Sequence, residues 1–230
     1  MISTNPIAQQ LTAIRDTLPE GVALVAVSKT HPVEAIEAAY AVGQRRFGES
    51  RPQELKAKYE ALPKDIAWHM IGHLQTNKVK YIVPFVALIE SVDSVRLCET
   101  IEREAAKHDR IVDVLMEVHV AQEESKSGWD YDELQAYVVS GALAALPHLR
   151  VRGVMGIASN TEDEVIIRHD FETLRRCFEA LKPHFDDSFD TLSMGMSDDY
   201  PLAIACGSTS IRVGSRIFGE RDYSITTPNK

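Results

Sequence analysis

No stretch of this 230-residue chain approaches the ~20 consecutive apolar residues that cross a bilayer as a helix. Its start, MISTNPIAQQL, has neither the basic opening nor the apolar run of a secretory signal. No membrane association is therefore expected, and the cytoplasm is the expected compartment. Excess basic charge is also missing: 25 Lys and Arg stand against 34 Asp and Glu, a formal net charge of −9. A nucleic-acid surface needs clustered cations, so no nucleic-acid partner is expected. Cysteine is sparse, and Cys98, Cys177 and Cys206 form neither a CxxC pair nor a metal-binding spacing. They read as buried free thiols of a reducing compartment. Finally, no Gly/Ser-rich or Pro-rich linker interrupts the chain, so residues 1–230 are expected to form one domain.

What is present is alternation. With 44% hydrophobic and 26% charged residues the chain has the composition of a folded protein, and short β-rich runs alternate with longer amphipathic ones. Strands are expected near 23–29, 45–49, 67–72, 87–92, 111–120, 151–158, 191–197 and 210–219. Helices are expected near 6–18, 33–42, 52–62, 77–84, 95–108, 131–146, 162–182 and 200–206. Thr161 with Glu164 and Asp130 with Glu133 have the spacing of capping boxes, and Pro32 and Pro52 fall near helix starts. Eight β/α units preceded by an extra N-terminal helix fit the α/β class as a closed (β/α)8 TIM barrel. The competing doubly wound sheet would usually place a Gly-rich turn after its first strand, and SKTHP contains no glycine.

The first strand, ALVAVSK, raises the functional question. Alternate residues of a strand share a face, so Val25, Val27 and Lys29 point the same way. If that face is the barrel interior, Lys29 sits at the C-terminal mouth, where active sites of this fold lie. An amine in an apolar setting has a lowered pKa and can attack an aldehyde to form a Schiff base; the plainer alternative is a lysine snorkelling into water. At the ends of the seventh and eighth strands, SMGMSDDYP (193–201) and GSTSIRVGSRIFGE (207–220) supply the glycines and hydroxyls with which barrels hold phosphate. An aldehyde bearing a phosphate suggests pyridoxal 5'-phosphate.

These segments, with FGES (47–50), WHMIGHLQTNK (68–78), SVDS (91–94), RGVMGIA (152–158) and GSTSIRVGSRIFGER (207–221), resemble the pyridoxal phosphate homeostasis proteins along essentially the whole chain. The resemblance implies a fold type III barrel like the N-terminal domain of alanine racemase. It implies the cofactor held as a Schiff base on Lys29, with Ser193, Met194, Gly195, Gly214 and Ser215 as phosphate contacts. Arg212 resembles the arginine that faces the pyridine nitrogen. The family usually has Asn where this chain has Ser50, whose S-x-x-Q pattern with Gln53 also fits a helix cap.

A permanently charged guanidinium at the ring nitrogen disfavours its protonation and weakens the ring as an electron sink. Only eleven residues follow Gly219, too few for the second domain that closes alanine racemase, and none of the seven tyrosines is placed by sequence on the far face of the cofactor. The resemblance therefore implies a protein that buffers or delivers the cofactor, with apo enzymes as candidate recipients, rather than one with established turnover. A weak amino-acid racemase is the alternative, and a hydrolase using Glu90 and Glu117 at the mouth is a remote third. His69 and His73 are four apart but straddle a strand end, so His69 is expected to line the interior rather than bind a metal. The polar loop AQEESKSGW (121–129) is expected at the mouth, and the acidic runs EDE (162–164) and REAAKHDR (103–110) on solvated helix faces. The absence of heptads or a long exposed apolar strand gives a monomer as the expected state.

Overall fold

The structure, a computed structural model, describes residues 5–123 and 127–219. Eight parallel strands close on themselves in sequence order: β1 Ala23–Val27, β2 Arg46–Glu49, β3 Ala67–Met70, β4 Leu88–Val92, β5 Val112–Glu117, β6 Leu149–Met155, β7 Thr191–Ser193 and β8 Ser210–Val213. Closure is made by β1 against β8, with Val25 beside Arg212. The expected TIM barrel is thus observed. Helices α2 (Val33–Ala41), α3 (Pro52–Ala61), α4 (Val95–Ala106), α5 (Tyr131–Val139), α6 (Glu164–Leu181), α7 (Tyr200–Ala205) and α8 (Ser215–Phe218) follow strands in the β/α pattern, while β3 leads into a 3-10 turn, Thr76–Tyr81. The extra helix α1 (Pro6–Arg15) precedes β1 and packs against α2 and α8.

Strand alternation divides the core in two. Phe47, Trp68, Met70 and Ile89 are fully buried together with helix residues such as Leu11, Ile36 and Leu55. Burying each large apolar side chain contributes roughly 1.5–3 kcal/mol. The opposite strand faces fill the barrel with Val25, Gly48, His69, Glu90, Leu115, Ser193 and Arg212, so a polar layer sits inside an apolar shell. At Gly153 the β5/β6 register shifts and φ is +151°; a Cβ there would lie 1.8 Å from the Thr191 carbonyl oxygen. Only glycine lets β6 pass that close to β7.

Several local expectations are corrected. The α6 cap is Asp163, whose carboxylate accepts from the Val165 amide, while Thr161 accepts from Asp163 one turn earlier. Asp130 does cap α5, accepting from the amides of Asp132 and Glu133. The expected helix 131–146 breaks at Gly141, whose φ of +76° stops α5 and starts a 3-10 turn, Ala142–Ala145. The helix expected at 77–84 is the 3-10 turn just named, too short to establish an α ladder before Pro84. Ser50 makes no cap; Arg51 occupies that position without a side-chain bond, and Ser50 packs against Gly72, where a Cβ would come within 2.7 Å of it.

Candidate functional site

Lys29 lies immediately beyond β1, half-buried, at the end of the barrel to which all eight strands point. The turn that carries it is held from behind. Ser28 Oγ donates to Glu49 Oε1 at 2.6 Å, and Lys58 Nζ, buried on α3, donates to the Ser28 carbonyl, Glu49 Oε1 and Glu54 Oε1 at 2.8, 2.8 and 2.7 Å. The Thr30 amide donates to the same Glu54 oxygen at 2.6 Å. Thr30 has φ +67°, a left-handed conformation that costs a non-glycine residue roughly 1–2 kcal/mol. Beside it, the His31 ring packs on Phe218 with 5.1 Å between centroids.

Glu49 is fully buried, and its second carboxyl oxygen has no partner. Burial pushes its pKa up to about 7, with Glu54 adding to the rise and Lys58 and Ser28 opposing it. The folded state then holds a proton that the unfolded chain has lost, so Glu49's contribution to stability is fully present below about pH 4.5 and is lost as pH rises toward about 7. The expected loss is on the order of 3 kcal/mol across that window. Urea unfolding at pH 5 and pH 8 checks this: Glu49→Gln flattens the fall, and parallel pH profiles for the two proteins would contradict it.

Inside the barrel a second network surrounds Arg212. Its Nη1 donates to Ser193 Oγ at 2.5 Å and its Nη2 to the Gly156 carbonyl at 2.9 Å. Glu90 stands behind, taking Ser193 Oγ–H and His69 Nδ1–H at 2.6 Å each, with Arg212 Nη1 3.7 Å away. Burial alone would raise the Glu90 carboxyl, but the His69 hydrogen bond and the adjacent His69, Arg212 and Ser193 outweigh it and hold it below the ordinary carboxylate range. Burial lowers the Arg212 pKa, and the Glu90 charge opposes that shift. The guanidinium therefore stays cationic within a satisfied frame.

The expected phosphate residues fall into two groups. The Ser193 hydroxyl is engaged inward by Glu90 and Arg212, and the Met194 amide donates to the Ser210 carbonyl. Gly195, buried, lies in the loop after β7, and half-buried Gly214 and exposed Ser215 follow β8. Gly195 has φ +96°, and a Cβ there would come within 2.6 Å of Ala203 Cβ; at Gly214 it would meet the Val27 carbonyl at 3.1 Å. Ser197, within the SMGMSDD run but not singled out from sequence, accepts from the Gly214 amide at 3.2 Å and ties the two loops together. Next to them, Asp199 accepts from the Met196 amide at 2.5 Å.

Other expectations separate cleanly. His69 lines the interior, while His73 is exposed on Asp93, so the two histidines diverge. Glu90 and Glu117 do not form an open carboxylate pair: Glu90 is sealed by its partners, and Glu117 is buried, accepts from Ser127 Oγ at 3.3 Å and has a raised pKa, chiefly from burial. The 121–129 loop is at the mouth, with Trp129 Nε1 donating to the Val92 carbonyl, but its central residues 124–126 lie outside the described residues, as do Glu220 and Arg221. The three cysteines are free and buried. Among the described residues, no helix is long and apolar enough to cross a membrane.

The family model described as "Alanine racemase, N-terminal domain" matches residues 2–222. A pyridoxal phosphate homeostasis protein of Aquifex aeolicus is 41% identical over 204 residues, covering 87% of each chain. The one from Escherichia coli K12 is 37% identical over 237 residues, covering 96% of this chain and 99% of its own. PipY of Synechococcus elongatus, solved without and with PLP bound, superposes with TM-scores of 0.87 and 0.84 at 40% identity, covering 93% of this chain and 100% of PipY.

Proposed function

We propose, on the premise that the chain belongs to the pyridoxal phosphate homeostasis protein family, that it binds pyridoxal 5'-phosphate at the barrel mouth and buffers or delivers it. The observation that carries the reading is the closure of β1 on β8, which sets Val25 beside Arg212, with Lys29 two residues beyond the end of β1 and the loops of Gly195, Gly214 and Ser215 following β7 and β8. The donor set fits the group in kind: one half-buried amine, one buried guanidinium, and the exposed Ser215 at the start of α8. Lys29 would be the residue that holds pyridoxal 5'-phosphate, which would supply a reactive aldehyde when bound.

The chain's own residues do the rest. Lys29 must be neutral to react. Gly195 and Gly214 let the loops after β7 and β8 pack closely on Ala203 and Val27, and Ser215 adds a hydroxyl. Arg212, fixed by Ser193, Gly156 and Glu90, would hold a positive charge toward the cofactor ring and so discourage protonation of its nitrogen. Such a site holds the ring without making it a strong electron sink, which supports storage over turnover. A monomer in the cytoplasm, handing the cofactor to apo enzymes, completes the reading.

The test is an absorbance titration of the full chain with pyridoxal 5'-phosphate and, separately, with pyridoxal. A visible band with at least about tenfold tighter binding of the phosphate ester is expected, since two or three charge-assisted hydrogen bonds are lost without it. Equal affinity for the two, or no band with either, would contradict the site as drawn.

A further inference from the structure

A buried polar cluster outside the Arg212 network is formed by Ser28, Glu49, Glu54 and Lys58, on the turn after β1, on β2 and on α3. We propose that Lys58 and Glu54 are positioning residues for Lys29, forming a buried ionic bracket that fixes the backbone on both sides of it. The inference rests on Lys29 being the residue that takes the cofactor, and it adds what sets the direction of that side chain.

The geometry is specific. Lys58 directs its three N–H groups to three oxygens, one of them the Ser28 carbonyl, immediately before Lys29. Glu54 accepts both from Lys58 and from the Thr30 amide, immediately after Lys29. Residues 28 and 30 are therefore tied to one ammonium group through two side chains. Between them the chain leaves β1 and enters a left-handed turn at Thr30, a conformation that persists only where its surroundings impose it. Charge supports the assignment as well. A buried ion pair is seldom the cheapest way to stabilise a fold, because apolar residues of the same volume serve as well or better. Lys58 is 6% exposed and Glu49 fully buried, yet neither touches the barrel interior network around Arg212. Their contacts converge on the Lys29 turn instead.

A misaimed amine reacts slowly even when the protein is folded, since displacement of about 1 Å can reduce a rate as much as 100-fold. The experiment follows the growth of the visible band after mixing the full chain with pyridoxal 5'-phosphate, in wild type, Lys58→Met, Glu54→Ala and Glu54→Gln, alongside each protein's melting temperature. Lys58→Met and Glu54→Ala are expected to slow attachment at Lys29 at least tenfold. Glu54→Gln keeps a carbonyl oxygen facing Thr30 and Lys58, and is expected to recover most of the rate. Glu54 is half-buried at the edge of the cluster, so its two variants decide the matter if Lys58→Met does not fold. Wild-type rates in Glu54→Ala, or equal slowing in Glu54→Ala and Glu54→Gln, would overturn the positioning role alone. No attachment at Lys29 in wild type would overturn the binding reading and this inference with it.

Discussion

Lys29→Ala is expected to abolish covalent attachment of pyridoxal 5'-phosphate and to weaken its binding about 100-fold or more, some 3 kcal/mol. The variant removes the amine that follows β1 and leaves Arg212 and the loops after β7 and β8 in place, so residual binding is expected to rest on phosphate and ring contacts. Lys29→Arg separates charge from chemistry. It keeps a cation at the turn but cannot form C=N, because the guanidinium stays protonated. Both variants are therefore expected to lack the visible band, with Lys29→Arg retaining more phosphate affinity. Equilibrium dialysis with absorbance checks both, and a wild-type band in either variant would show that another lysine carries the cofactor.

Glu90→Ala should unfold the protein far more readily, by about 3–5 kcal/mol. Glu90 is fully buried and serves three groups at once, His69, Ser193 and Arg212. Removing it strands a guanidinium within a low-dielectric interior, and that uncompensated charge is the main cost. For a chain of this length the loss corresponds to a fall in melting temperature of roughly 10 °C. The same reasoning gives the opposite expectation for removing both charges: Glu90→Leu with Arg212→Met should recover a large part of the stability while losing the cation proposed to face the cofactor ring. Urea midpoints of the single and double variants test this. A single variant as stable as wild type would mean that Arg212 finds its counter-charge elsewhere.

The barrel was readable because each strand is short, β-rich and followed by an amphipathic segment, a local pattern that survives without tertiary information. The period of two carried Val25 and Val27 inward as read, but β1 ends at Val27 rather than at 29, and Lys29 stands in the turn that follows. Arg212 came with the family resemblance, but its frame did not. Ser193 and Glu90 meet across 103 residues, a contact made by barrel closure and invisible to spacing. That closure also turned Glu90 from a rim carboxylate into a sealed counter-ion and drew the Ser193 hydroxyl inward. The Lys58 bracket was hidden differently: nothing in the spacing of KAKY singles out Lys58, and only the packing of α3 shows that it is inside. Helix ends failed where a single competing residue decided them, as Asp163 did over Thr161 and Gly141 did within 131–146.

The claim on which the rest depends is that the lysine after the first strand holds the cofactor. Its most direct test is borohydride reduction of the wild-type protein mixed with pyridoxal 5'-phosphate, followed by peptide mapping. A single reduced adduct on Lys29 is the expected result; an adduct spread over surface lysines, or none at all, would contradict it.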